Sequence, residues 1–214
     1  MQNQFMWRSF MLVFLLFGPT FDSCAQENAQ GRFYELGFNF GYASVDNFIF
    51  KDDDYYYEVY LHKIQILYRI KSGKIDYDFI FQPEINRAHH KLYNPWFAGH
   101  PDAFSEYRTQ LMTLKTINEY IMNCGVILRT SITENLNMYG LASIGPGYFD
   151  EGSERMAKGI GFSDNLALGL NYNFLKELVL DLRLGFRHVS NAEIKQPNEG
   201  YDAIEFNIGL AYRL

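Results

Sequence analysis

The chain has 214 residues, which is enough for one domain of ordinary size. Its formal net charge of −6 at pH 7 argues against nucleic acid as a partner. The two cysteines, Cys24 and Cys124, do not predict a disulfide, because Cys24 lies in or beside a segment that we expect to be removed.

Residues 1–25 are predicted to be a signal peptide. Arg8 supplies the positive charge, and the apolar run FMLVFLLF (10–17) is too short to cross a bilayer as a helix. Ser23 and Ala25 suit a cleavage site that would leave Gln26 as the new N-terminus. An alternative is a lipoprotein cysteine at Cys24, but FDSC matches that box poorly. No later apolar run approaches the roughly 20 residues of a membrane helix.

Residues 26–214 alternate repeatedly between apolar and polar side chains, with the period of two that is typical of strands. The alternating segments are residues 34–43, 60–70, 75–86, 119–129, 136–148, 165–174, 178–190 and 202–214. Their connections are short near residues 71–74, 131–135 and 175–177, and long near 45–54, 87–107, 149–158 and 191–201. This pattern predicts one all-β domain, an eight-stranded antiparallel transmembrane β-barrel of the outer membrane.

A soluble lipocalin-like barrel is the structural alternative, and it would place the apolar stripes inside. The polar stripes consist of Gly, Asn, Ala and paired charges such as Asp181, Arg183 and Arg187. Such residues suit a narrow barrel interior better than a solvated surface, which favours the membrane barrel.

Three polar residues interrupt the apolar stripes of the last two strands. His188 and Ser190 continue the stripe that begins at Leu178 on strand seven, and Asp202 continues the stripe of strand eight. A strand that rises ~3.3 Å per residue with a ~45° tilt climbs roughly 28 Å over twelve residues, close to the ~25 Å apolar band. Leu178 and Ser190 are twelve residues apart, so these side chains are expected at the outer membrane interface, facing lipid.

These residue types suggest ester hydrolysis of a lipid acyl chain. A serine hydroxyl becomes a good nucleophile when a base takes its proton, and His188 lies two residues from Ser190 on the same face. Asp202 could orient the imidazole and stabilise its protonated form. Asn191, Asn198 or a backbone N–H near Ala192 could bind the oxyanion.

This stretch resembles the PagL-type lipid A deacylases, also called acyloxyacyl hydrolases. The motif of that family resembles His-x-Ser-Asn-Ala, followed after a short stretch by Lys-Gln-Pro-Asn-x-Gly and an acid. The matching residues in this chain are HVSNA (188–192), KQPNEG (195–200) and Asp202. The resemblance implies an eight-stranded outer-membrane barrel that removes the 3-linked acyl chain of lipid A. It also implies His188 as base, Ser190 as nucleophile and Asp202 as orienting acid, with Asn198 and the loop near Ala192 as oxyanion candidates.

One position departs from the family pattern, because its best-known members carry Glu where this chain has Asp202. Glu193 and Glu199 in the loop are alternatives for the orienting acid. Glu205 is not a clear substitute, because its position in the alternation predicts that it faces the barrel interior. The second function hypothesis is therefore a catalytically inactive structural or binding barrel. A small-solute pore is a weak third, because side chains fill the interior of so small a barrel.

The expected partners are lipid A or lipopolysaccharide as substrate and the outer-membrane lipid around the barrel. A homodimer is left open. No cofactor is expected, and no metal is expected either, because His89, His90, His100 and Asp102 lack a convincing ligand spacing.

Overall fold

The structure is a computed structural model that describes residues 32–47, 49, 51–94 and 112–214. The predicted signal peptide (1–25), including Cys24, lies outside the described residues, and so do His100 and Asp102. Within the described ranges, no helix has the length and hydropathy needed to cross a bilayer.

Eight antiparallel strands pair with their neighbours in chain order, and the last strand pairs with the first to close a barrel. The strands are β1 (Arg32–Ser44), β2 (Tyr55–Lys71), β3 (Asp76–Leu92), β4 (Lys115–Ser131), β5 (Leu136–Phe149), β6 (Gly159–Asn173), β7 (Leu178–Ser190) and β8 (Tyr201–Arg213). The predicted all-β, eight-stranded fold is confirmed. Closure leaves no unpaired sheet edge, which is what a strand protein needs in order to sit in lipid.

Several strand boundaries differ from the prediction: β4 begins at Lys115 rather than at residue 119, and β6 at Gly159 rather than at residue 165. β2 begins at Tyr55 and β3 continues to Leu92, where the sequence predicted a long loop from residue 87. These extensions pair with each other, as Tyr57 does with His90. The prediction was wrong there because the outward residues of this part of β3, such as Arg87 and Lys91, are polar, so the alternation of hydrophobicity disappears while the strand continues.

The apolar stripes face outward, as the membrane barrel requires. Leu168 is 70% exposed and Phe206 is 52% exposed on the outer wall, whereas the inward Arg183 is 2% exposed. The lipocalin-like alternative, with its apolar side chains inside, is therefore excluded. An outer wall of this composition is suited to lipid.

Paired charges fill the interior of the barrel. Lys63 Nζ lies 3.0 Å from Glu205 Oε2, and Arg187 lies 3.1 Å from Glu84 and 3.0 Å from Glu119. Each of these side chains is almost completely buried, and a buried charge of this kind requires a partner because its desolvation costs several kcal/mol. Arg187 belongs to this network and directly precedes His188 on β7. The network therefore anchors the strand next to the candidate site.

Candidate active site

His188 and Asp202 form a cross-strand pair on the outer wall. The β7–β8 register places them directly opposite each other, and His188 Nδ1 lies 2.6 Å from Asp202 Oδ1. The imidazole is 17% exposed and the carboxylate 40% exposed. A carboxylate at Nδ1 favours the tautomer that carries its proton there, so that Nε2 is the nitrogen suited to accept a proton.

Ser190 is the last residue of β7 and stands one step above His188 in the same outward row. Its side chain is only 4% exposed, and its Oγ makes no hydrogen bond with any described residue. The structure therefore brings His188 and Asp202 into contact but does not close a hydrogen bond between Ser190 and His188. Nucleophile–base contacts are often loose in the absence of substrate.

Asp164 was missed by the sequence analysis and belongs to the same group. It lies opposite His188 on the β6 side, so that two carboxylates flank one imidazole across neighbouring strands. Its Oδ1 is buried and has no hydrogen-bond partner among the described residues. The signal was present in the sequence, because Asp164 continues the outward row of Leu166 and Leu168, but the predicted strand began at residue 165, six residues after the start of β6.

The loop between β7 and β8, residues 191–200, folds back on itself around Asn191. The Asn191 side chain donates to the carbonyls of Lys195 at 2.6 Å and Pro197 at 3.2 Å. The Asn191 backbone N–H donates to Asn198 Oδ1 at 2.8 Å. The Asn191 amide is thus engaged in shaping the loop, and the side-chain oxygen of Asn198 is engaged as well.

Two residues of this loop adopt left-handed backbone conformations, with φ of 51° at Ala192 and 64° at Glu193. Side chains other than glycine rarely occupy this region, and where they do it is often at functional sites. Ala192 directly follows Asn191, whose backbone N–H donates to Asn198 Oδ1. It remains an oxyanion candidate by position.

Gly200 ends the loop with φ of +72° and lies against Ser190. A Cβ at this position would come within 2.4 Å of the Val189 carbonyl oxygen and 3.3 Å of Ser190 Cβ. Only glycine combines that φ with so close an approach at low cost. The glycine therefore lets the loop pack directly on the last two residues of β7, Val189 and Ser190.

The alternative acids do not share this geometry. Glu205 points into the barrel, as its parity predicted, and pairs with Lys63. Glu193 and Glu199 are exposed on the loop. Asp202 is the carboxylate on β8 that contacts the imidazole.

A groove of about 490 Å³ runs down the outer wall below the row of Asp164, His188 and Asp202. It is lined almost entirely by apolar side chains, and the residues one step below that row, Leu166, Phe186 and Ile204, form its upper part. Gly140 on β5 lies in the groove, and a Cβ there would meet no atom within 4 Å. The groove thus has the apolar lining and open space that an acyl chain requires.

The histidines of β3 do not form a metal centre. His90 faces the interior, where its Nδ1 lies 2.6 Å from the Tyr55 hydroxyl, and His89 contacts Thr116 on the other side of the strand. Among the residues that the structure describes, no group of three or more His, Cys, Asp or Glu side chains could hold a metal ion.

Comparison with known proteins gives one sequence family. The profile of the PagL family, lipid A 3-O-deacylase, matches residues 85–211, which is more than half of the chain and contains the whole candidate site. No curated protein sequence matches the chain at a significant level.

Solved structures similar to this chain are outer-membrane barrels. Neisserial surface protein A has 12% identity and a TM-score of 0.50, covering 86% of this chain and 99% of its own. The outer membrane enzyme PagL has 12% identity and a TM-score of 0.48, covering 82% and 97%. The attachment invasion locus protein Ail of Yersinia pestis, in complex with a heparin analogue, has 15% identity and a TM-score of 0.43, covering 86% and 98%. Identities at this level indicate the fold alone.

Proposed function

The chain belongs to the PagL family of lipid A 3-O-deacylases, and on that basis we propose that it is an outer-membrane serine esterase that removes the 3-O-linked acyl chain of lipid A. The observation that carries this proposal is the 2.6 Å contact between His188 and Asp202, in the outward row that ends at Ser190. A base held by an acid beside a buried serine is the arrangement that nucleophilic ester cleavage needs.

In the proposed reaction, Ser190 Oγ attacks the ester carbonyl while His188 takes the hydroxyl proton. The tetrahedral intermediate collapses as the imidazolium returns that proton to the departing sugar oxygen, which leaves the acyl chain on Ser190. Water, deprotonated by His188, then attacks the acyl-serine, and the imidazolium returns the proton to Ser190 Oγ as the bond to the acyl group breaks and the fatty acid is released. Asp202 holds the imidazole in place and stabilises its charged form in both halves of the reaction.

The oxyanion of each tetrahedral intermediate would be bound by the NH₂ group of Asn198 and the backbone N–H of Ala192. The first is supported by the hydrogen bond that turns the Asn198 oxygen toward Asn191 and so turns its NH₂ group the other way. Such donors are typically the largest single contribution to acyl transfer. Asp164 places a second carboxyl group beside His188, which in its ionised form would also favour the imidazolium.

The apolar groove below the triad supplies the place for the acyl chain. A chain that enters from the surrounding lipid would lie along Phe186 and Leu166, with its ester beside Ser190. In the proposed orientation the reaction would take place at the outer leaflet, where lipid A ester groups lie. A polar group on the lipid face costs only ~0–1 kcal/mol at that height, so the site is stable there.

Mass spectrometry of lipid A incubated with refolded protein in detergent tests the function. We expect the wild type to release one hydroxyacyl chain and Ser190→Ala to lose turnover by on the order of 10⁴-fold while still folding as a barrel. Equal release by both proteins would remove Ser190 from the mechanism. No release by a folded wild type with several forms of lipid A would favour the inactive barrel instead.

A further inference from the structure

The β5–β6 loop, residues 150–158, lies against the β7–β8 loop that contains the oxyanion candidates. The two loops form an isolated antiparallel bridge between Met156 and Asn198. Three backbone hydrogen bonds flank the bridge: Ala157 N–H to Pro197 O at 2.9 Å, Glu199 N–H to Arg155 O at 2.7 Å, and Gly200 N–H to Arg155 O at 3.2 Å.

These hydrogen bonds hold the residues that directly precede and follow Asn198 in the chain. The residue before it is held through its carbonyl, and the residues after it are held through their N–H groups. Since the Asn198 oxygen in turn receives the N–H of Asn191, the position of the loop beside Ser190 depends on the 155–157 segment. Residues 155–157 are not part of β7 or β8, so the pairing of these two strands does not hold them in place. Another contact is needed to fix their position.

Arg155 supplies that anchor. Its Nη2 lies 2.6 Å from Asp52 Oδ2 in the β1–β2 loop, and its guanidinium stands over the Tyr55 ring at 4.7 Å from the centroid. The side chains of both partners of the ion pair are largely buried, at 15% and 21% exposure. An ion pair that is shielded from water and stacked on an aromatic ring is stronger than an exposed one.

Two further contacts hold the same segment. Ser153 Oγ accepts hydrogen bonds from the N–H groups of Arg155 at 3.2 Å and Met156 at 3.0 Å, and it contacts the Tyr201 hydroxyl at the start of β8. Met156 is 1% exposed and packs in the apolar cluster at this end of the barrel. The backbone carbonyl of Arg155 is therefore fixed between its own anchored side chain and a buried neighbour.

We propose that Arg155 is a positioning residue, which uses its ion pair with Asp52 to hold the loop of Asn198 and Ala192 in the geometry that binds the oxyanion. This proposal rests on the proposed esterase function. The effect of Arg155 passes through the backbone, because the Arg155 carbonyl accepts hydrogen bonds from the N–H groups of Glu199 and Gly200. It makes the β1–β2 loop part of the catalytic apparatus, although that loop is more than a hundred residues away in sequence from Ser190.

The expected signature is a loss of turnover without a loss of substrate affinity. A displacement of about 1 Å in a group that binds the transition state costs roughly 10²-fold in rate. We expect Arg155→Gln and Asp52→Asn each to lower kcat by about 10- to 100-fold and to change KM by less than about threefold. The double variant should be no worse than either single variant, because both remove the same contact.

The test uses the full barrel, refolded in detergent, with lipid A as substrate. Arg155→Lys keeps the charge and should recover part of the lost turnover, and the exchange Asp52→Arg with Arg155→Asp should recover more than either of its single changes. The same loop offers a matched control, because Lys158 and Glu151 form an ion pair at 3.3 Å whose side chains are both exposed. Lys158→Gln should leave kcat unchanged.

Hydrogen exchange of the β7–β8 loop gives a second readout that does not require activity. Faster exchange at Glu199 and Gly200 in Arg155→Gln, with no change in Lys158→Gln, supports the positioning role. Unchanged exchange and unchanged kcat in Arg155→Gln overturn it. If the wild type releases no fatty acid, the proposed function fails, and the exchange measurement still decides whether Arg155 holds the loop.

Discussion

Replacement of Asp202 by Asn tests the part of the site in which this chain departs from the better-known family members. With 2.6 Å between Nδ1 and Oδ1, the charge centres of a protonated His188 and Asp202 are about 4 Å apart. Two unit charges at that distance interact by about 1 kcal/mol in water and about 4 kcal/mol at an effective dielectric of 20. Because Asp202 is 40% exposed, the environment is intermediate, and the loss should be about 10²-fold in kcat.

The assay is the rate of fatty-acid release from lipid A under saturating substrate, followed by mass spectrometry. Asp202→Glu keeps the charge and should remain within about tenfold of the wild type, since a longer side chain can still reach the imidazole. Glu193→Gln, a change at an exposed loop carboxylate, is the control and should have no effect. If Asp202→Asn were as active as the wild type, Asp202 would not be the orienting acid.

Three further perturbations follow from the site and its surroundings. Gly200→Ala should lower activity strongly and cost about 1–3 kcal/mol in unfolding free energy, because a Cβ would approach the Val189 carbonyl to 2.4 Å at φ +72°; a fully active, equally stable variant in denaturant titration would contradict this. Gly140→Leu should fill the groove and shift activity from long to short acyl chains, whereas Ile85→Phe, an exposed position on β3, should not; unchanged chain preference in Gly140→Leu would refute the acyl groove. In the β5–β6 loop, burial raises the pKa of Glu154, but hydrogen bonds from His90 and Lys115 outweigh it and lower the pKa from 4.5 to about 2. Its stabilising contribution is therefore present above pH 4.5 and is lost as the pH falls toward 2. Protease cleavage of the loop should increase across this range in the wild type, and Glu154→Gln should make the loop equally sensitive at higher pH; a loop whose cleavage did not depend on pH would exclude this role.

The period of two was sufficient to predict the barrel and the direction in which the candidate site residues point. Side chains alternate between the two faces of a strand, so His188 and Ser190 were predicted to face outward like Leu178. The same alternation correctly predicted that Glu205 faces inward. The same rule could have found Asp164, but the predicted strand began at residue 165, whereas β6 begins at Gly159.

The parts that could not be predicted depend on contacts between distant segments. The extension of β3 to Leu92 is hidden because its outward residues are polar above the apolar band. The bridge between Met156 and Asn198 joins two loops without periodicity, and no local pattern indicates which loop lies on which. The alternation of faces along a strand carries no information on side-chain rotamers, so it could not show that Ser190 Oγ makes no hydrogen bond with a described residue.

The central claim is that Ser190 is a nucleophile activated by His188, and covalent labelling tests it most directly. The refolded barrel would be treated with an alkyl fluorophosphonate, which reacts with activated serines, and the modified residue located by peptide mass spectrometry. We predict stoichiometric labelling of Ser190, protection by added lipid A, and loss of labelling in His188→Asn. Labelling of another residue, or no labelling of a folded wild-type barrel, would contradict the proposed mechanism.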